Sequence, residues 1–188
     1  KGEMWAVSDR DDDQIYRLDM RYALWQAEPL TLDVPPPPES GLPWGVRMMG
    51  KAISPLRGGD LDFEGITCDD AGNRYVVSES YAAVLNIPQT GSPAWLKIDS
   101  ALVRQARASG MLLHFNALFE GIAVNPQGNQ IWLAAERERR GVLTIRKQQS
   151  VWDCEGGCVV MSEGGLEQAP PQLKVRAQQK DFADLALF

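Results

Sequence analysis

Apolar and polar positions in this chain fall into short runs of three to six residues separated by turn-forming clusters, and the grouping returns at a fixed interval. Phe63-Glu64-Gly65-Ile66-Thr67-Cys68 leads into Asp69-Asp70-Ala71-Gly72-Asn73 and then Tyr75-Val76-Val77-Ser78-Glu79. Its partner reads Phe119-Glu120-Gly121-Ile122-Ala123-Val124, then Asn125-Pro126-Gln127-Gly128-Asn129, then Ile131-Trp132-Leu133-Ala134-Ala135-Glu136. The first glutamates stand 56 positions apart and the second ones 57, a slip of one residue in the turn. A third copy opens the chain, where Gly2-Glu3-Met4-Trp5-Ala6-Val7-Ser8-Asp9 matches Gly72 to Glu79 with aspartate for glutamate. A fourth starts at Asp181-Phe182-Ala183-Asp184-Leu185.

Each copy predicts β structure. Its runs are rich in β-branched and aromatic residues, and the clusters between them supply the Gly and Asn that tight turns require. A third strand follows each acidic residue, at Ile15-Tyr16-Arg17-Leu18, Val84-Leu85-Asn86-Ile87 and Val142-Leu143-Thr144-Ile145. Antiparallel strands recurring at this period predict an all-β fold, a β-propeller of four-stranded blades. The repeats lie near 1–62, 63–118 and 119–181, with the next blade starting at 182. Closed propellers use about four to eight blades. The expectation is therefore an incomplete single propeller domain of three to four blades whose ends look cut and whose open edges favour self-association. Ala101 to Ser109 predicts one excursion helix on a rim, ended by Gly110. Pro35-Pro36-Pro37-Pro38 is read as a stiff spacer between the third and fourth strands of the first blade.

Composition narrows the class. A chain of 188 residues with 44% hydrophobic and 23% charged residues has an ordinary globular profile. Its net charge of -6 argues against a nucleic-acid partner, and no apolar run reaches the roughly 18 residues of a membrane span. Cys154-Glu155-Gly156-Gly157-Cys158 suits a small hairpin disulfide, which would place the protein in the periplasm or outside the cell. The same pair is also half a zinc site, with His114, the single histidine, far away. Cys68 reads as a buried free thiol and His114, within Met111-Leu112-Leu113-His114-Phe115, as a buried imidazole. No serine-hydrolase elbow, phosphate-cradling glycine loop or His-Glu-x-x-His motif occurs.

The repeated carboxylates are the candidate chemistry. First strands of successive blades line the axis of a propeller, so Glu64, Glu120 and Asp184 are expected to form one ring, and Asp9, Glu79 and Glu136 a second. Clustered carboxylates repel unless a cation or arginine neutralises them, and an oxygen-rich ring suits calcium or magnesium. The competing reading is architectural, with each glutamate accepting backbone hydrogen bonds from a neighbouring blade. Glu64, Glu79, Glu120 and Glu136 are the candidate catalytic residues, as metal ligands or bases. Asn116 and Arg137 are candidate contacts to an anionic or carbonyl substrate. Asp11-Asp12-Asp13 reads as a solvated turn or a calcium loop. Trp25, Trp44, Trp95 and Trp152 lie outside the repeated strands, where aromatic contact and packing between blades are both open.

These motifs, in this order, resemble the bacterial phytase-like domain family described as having esterase-like activity. The resemblance rests on Trp5-Ala6-Val7-Ser8-Asp9, Phe63-Glu64-Gly65-Ile66 with Ser78-Glu79, Asn116-Ala117-Leu118-Phe119-Glu120-Gly121-Ile122-Ala123 with Glu136, and Asp181-Phe182-Ala183-Asp184-Leu185. It implies a periplasmic or secreted β-propeller hydrolase acting on phosphoesters or esters. The Glu-Gly-Ile motif is also similar to the Glu-Gly-Pro motif of regucalcin and gluconolactonase propellers, whose glutamate holds a divalent metal; Ile66 and Ile122 stand where those have proline. Two functions follow as expectations: a hydrolase using a divalent cation, calcium foremost, or a non-catalytic binding propeller of the cell envelope.

Overall fold

A computed structural model describes residues 3–21, 23–49, 59–115, 117–137 and 139–164. They form three antiparallel sheets in chain order. Sheet 1 holds β1 (Met4–Ala6), β2 (Gln14–Asp19) and β3 (Gln26–Thr31). Sheet 2 holds β4 (Phe63–Cys68), β5 (Arg74–Ser78), β6 (Ala83–Ile87) and β7 (Ala94–Trp95). Sheet 3 holds β8 (Phe119–Val124), β9 (Gln130–Ala135), β10 (Gly141–Gln148) and β11 (Val151–Asp153), with β12 (Val159–Ser162) also on β10. The all-β, antiparallel expectation holds; among the described residues the sheets do not close into a barrel or ring. The fourth copy, from 182, lies outside the described residues.

The two full repeats fold alike because their turns make the same local bonds. Asp69 Oδ1 accepts the Asn73 N–H at 2.9 Å, and Asn125 Oδ1 accepts the Asn129 and Gln130 N–H groups at 2.9 Å each. Gly72 (φ 80°) and Gly128 (φ 66°) take the left-handed position that such a turn requires. The turns also touch, the Asp70 N–H donating to the Pro126 carbonyl at 3.0 Å.

Alternation along the strands then builds two cores. Val76, Leu85 and Ile87 face sheet 1, joining Ile15 and Phe63, whereas Tyr75, Val77 and Val84 face sheet 3, joining Phe119, Ile122, Ile131 and Leu133. Sheet 2 is thus apolar on both faces, which is why Tyr75-Val76-Val77 reads as a continuous apolar run. Phe63 and Phe119 hold equivalent places, each packed toward the preceding sheet. Sheets 2 and 3 meet closely: a Cβ added at Gly65 would lie 3.0 Å from the Glu120 carbonyl oxygen and 3.2 Å from Ile122 Cγ2. Only glycine lets the two Glu-Gly strands approach this far.

Connections differ more from expectation. The predicted helix is α2 (Ala101–Ala108), with Leu102, Val103 and Ala106 buried in the core shared by sheets 2 and 3. Gly110 (φ 83°) follows it. A helical segment at 44–49, α1, was not expected. The polyproline run follows β3 instead of preceding the last strand of its sheet, since β3 is already the outermost of the three. Its Pro35 carbonyl accepts the Trp95 indole N–H at 2.8 Å, so the spacer is tied to sheet 2. Asp12 accepts the Asp60 and Leu61 N–H groups at 2.7 and 2.8 Å. The acidic turn therefore anchors the approach to β4.

Candidate functional site

Glu64 and Glu120 sit on matching β-bulges. On β4, Phe63 pairs with Ser78 and Gly65 with Val77, leaving Glu64 as the extra residue; on β8, Phe119 and Gly121 pair with Ala135 and Ala134, leaving Glu120. A bulge re-aims its extra side chain away from strict alternation. That lets a glutamate stand between a buried phenylalanine and a buried glycine without entering the core. Glu79 and Glu136 follow the last residues of β5 and β9. Their N–H groups donate to the carbonyls of Asp62 (2.9 Å) and Leu118 (3.3 Å), the residues two before each bulged glutamate.

The stacking of sheets 2 and 3 merges these acids into one site. Asp62, Glu64 and Glu79 offer carboxylate oxygens within 4.8 Å of one another, and so do Glu79, Glu120 and Glu136. Glu79 belongs to both groups because it reaches across to sheet 3, where its Oε1 accepts the Leu118 N–H at 3.2 Å. Asp62, Glu79 and Glu136 are buried, while Glu64 and Glu120 keep partial access to solvent. Asp62 adopts φ 55°, a left-handed conformation that aspartate tolerates better than most residues.

The electrostatics carry the mark of crowding. Burial pushes the Glu64 carboxyl up to about 7, and the charges of Asp62, Asp9 and Glu136 add to the shift. Glu79 is raised by burial, the Leu118 N–H opposing and Asp62 and Glu64 adding. Glu120 is raised by burial and then by its shared hydrogen bond with Glu136. The Arg137 Nε lies 2.7 Å from Glu136 Oε1, its side chain half exposed, and this pairing holds the guanidinium above its ordinary value. Glu136 Oε2 is buried and accepts no hydrogen bond among the described residues. A hard cation suits such an atom, because it supplies the positive partner that a buried carboxylate oxygen otherwise lacks.

Of the expected residues, the structure gathers Glu64, Glu79, Glu120 and Glu136, with Arg137 at the rim. It places them in one cluster instead of two separate rings. Asp9 is exposed and belongs to neither group, touching the site through its charge on Glu64. Asn116 and Asp184 lie outside the described residues. Asp62 was missed, since it falls outside the repeat: its counterpart is Leu118, and the only signal was a second acid two positions before Glu64. Cys154 and Cys158 form a disulfide with Cα atoms 4.7 Å apart, stapling the turn between β11 and β12. Two expectations of side-chain environment are corrected. Cys68 is exposed at the end of β4, where the strand runs out into its turn. His114 is exposed because its apolar neighbours Met111 and Leu112 enter the core while the chain turns outward after them. Of the tryptophans, Trp152, at 3% exposure, packs edge-on against Tyr75 of sheet 2, which is the packing reading, whereas Trp25 (58%) and Trp44 (71%) are open.

No helix among the described residues is long and apolar enough to cross a membrane. No curated protein matches the chain at a significant level. The profile of the phytase-like family, described as the esterase-like activity of phytase, matches residues 1–151, a span that holds all five clustered carboxylates, and the chain therefore belongs to this family.

Proposed function

We propose that the protein is a hydrolase of phosphoesters or carboxylic esters that works with a divalent cation, calcium foremost, bound by the carboxylates between sheets 2 and 3. The observation that carries this reading is the pair of carboxylate groups around Glu79, one of which includes Glu136, a residue whose Oε2 is buried and accepts no hydrogen bond among the described residues. Glu79 and the acids around it, Asp62 with Glu64 on one side and Glu120 with Glu136 on the other, would hold the cation. When bound, the cation supplies Lewis acidity to a phosphoryl or ester oxygen. Glu64 and Glu120, each the solvent-facing member of its group, are placed to take a proton from an attacking water as well as to face the cation, and burial has raised both above the ordinary carboxylate range, Glu64 to about 7, where a general base works best. Arg137 presents a guanidinium at the rim to orient an anionic substrate. The three sheets are read as consecutive propeller blades. The disulfide supports a periplasmic or secreted location.

The test is hydrolysis of phytate, p-nitrophenyl phosphate and p-nitrophenyl acetate, with calcium and with a chelator. Cation-dependent turnover that falls by about a hundredfold or more in Glu120→Gln is expected. Calcium binding without turnover on any of these would favour the alternative, a non-catalytic binding protein of the cell envelope.

A further inference from the structure

Resting on that reading, we infer that the cluster holds two divalent cations, not one, with Glu79 shared between them. The argument begins from the repeat. Glu64 with Glu79 and Glu120 with Glu136 are the same pair of positions in successive sheets, each made of a bulged glutamate and the acid just past the next strand. Each pair needs at least a third oxygen donor to hold a hard cation. Sheet 2 supplies it from within, through Asp62. Sheet 3 has Leu118 at that position, fixed as the equivalent by the matching backbone bonds Glu79 N–H to Asp62 and Glu136 N–H to Leu118. The missing donor comes instead from Glu79 of the neighbouring sheet, held in place by the N–H of that same Leu118. Two complete three-carboxylate groups result, with one member in common.

Two further observations point the same way. Glu136 Oε2, in a side chain more than nine-tenths buried, has no hydrogen-bond partner among the described residues, although its Oε1 is engaged by Arg137. Its residue belongs to the second group, so a cation held by Asp62 and Glu64 alone would leave this carboxylate oxygen unanswered. Charge balance agrees. Five carboxylates against Arg137 leave four formal negative charges, which two divalent cations cancel and one does not.

The test is calorimetric titration of the chelator-treated protein with calcium chloride, with bound calcium counted by elemental analysis after desalting. Two calcium ions per chain are expected for the unmodified protein. Asp62→Asn and Glu136→Gln, both close in shape to the originals, should each leave one ion. Glu79→Gln should weaken both steps by about tenfold or more, or about 1.4 kcal/mol each. Circular dichroism of each variant separates loss of a ligand from loss of the fold. One ion in the unmodified protein, lost equally in Asp62→Asn and Glu136→Gln, would overturn the inference and leave the proposed function standing. Absence of calcium and magnesium binding would overturn both.

Discussion

Sheets 2 and 3 follow one plan and diverge at one decisive position. Both begin with a buried phenylalanine, a bulged glutamate and a buried glycine, both turn through an Asx residue and a left-handed glycine, and both place an acid one step past the second strand. They differ at 62 and 118, where sheet 2 has an acid and sheet 3 a leucine that is 1% exposed. The backbone at 118 keeps its role, accepting from the Glu136 N–H and donating to Glu79; only the side chain has changed. The repeat thus fixes where carboxylates can stand, and the non-repeated residue decides which sheet must borrow one.

That equivalence can be broken hardest through the phenylalanines. Phe63→Ala and Phe119→Ala should each cost about 3–5 kcal/mol in urea unfolding, since both rings are almost wholly buried. A much smaller loss at one of them would show that the two sheets are not packed alike. Next in size is Gly65→Ala, whose new Cβ meets the backbone of Glu120 and Ile122. About 1–3 kcal/mol of destabilisation is expected, with weaker calcium binding as the two halves of the site part. Unchanged stability and affinity would refute the close approach of the sheets.

The smallest effect concerns charge. Glu64 is raised in the folded chain from an ordinary 4.5 to about 7. The folded state therefore binds the proton more tightly than the unfolded one, and the associated stability is fully present below about 4.5 and lost as pH rises through about 7. Without metal, the melting temperature should fall by a few degrees between pH 5 and pH 8, the scale of about 1 kcal/mol for a chain of this size. Calcium should abolish the fall. Asp62→Asn should reduce it, because one of the raising charges is gone while asparagine keeps the left-handed backbone. A metal-free melting temperature that instead rises over this range would contradict the crowded-carboxylate account.

The recurrent motif, its turns, the inner strands β1, β2, β4 to β6 and β8 to β10, and α2 were legible in the sequence because short-range rules encode them: β-branched runs, glycine at positive φ, and Asx side chains closing their own turns. Glu64, Glu79, Glu120 and Glu136 were legible as equivalent positions for the same reason. Asp62 was not, since repeat comparison discards what does not recur. The exposure of Cys68 and His114 was misjudged because an apolar neighbourhood in sequence does not say which side of a turn a residue leaves from.

By itself, then, the sequence determined that this is an all-β chain of antiparallel strands carrying a recurrent pair of acids, and its motifs resembled the family to which it belongs. Only the tertiary structure decided that these acids form one site. The bulges turn Glu64 and Glu120 out of the strand alternation, and Gly65 lets sheet 2 approach the backbone of sheet 3. Glu79 then crosses between the sheets to accept the Leu118 N–H. Carboxylates come together against their mutual repulsion because the apolar packing of Phe63, Phe119 and their neighbours fixes the distance between sheets, a quantity set by long-range burial that no local stretch of sequence records.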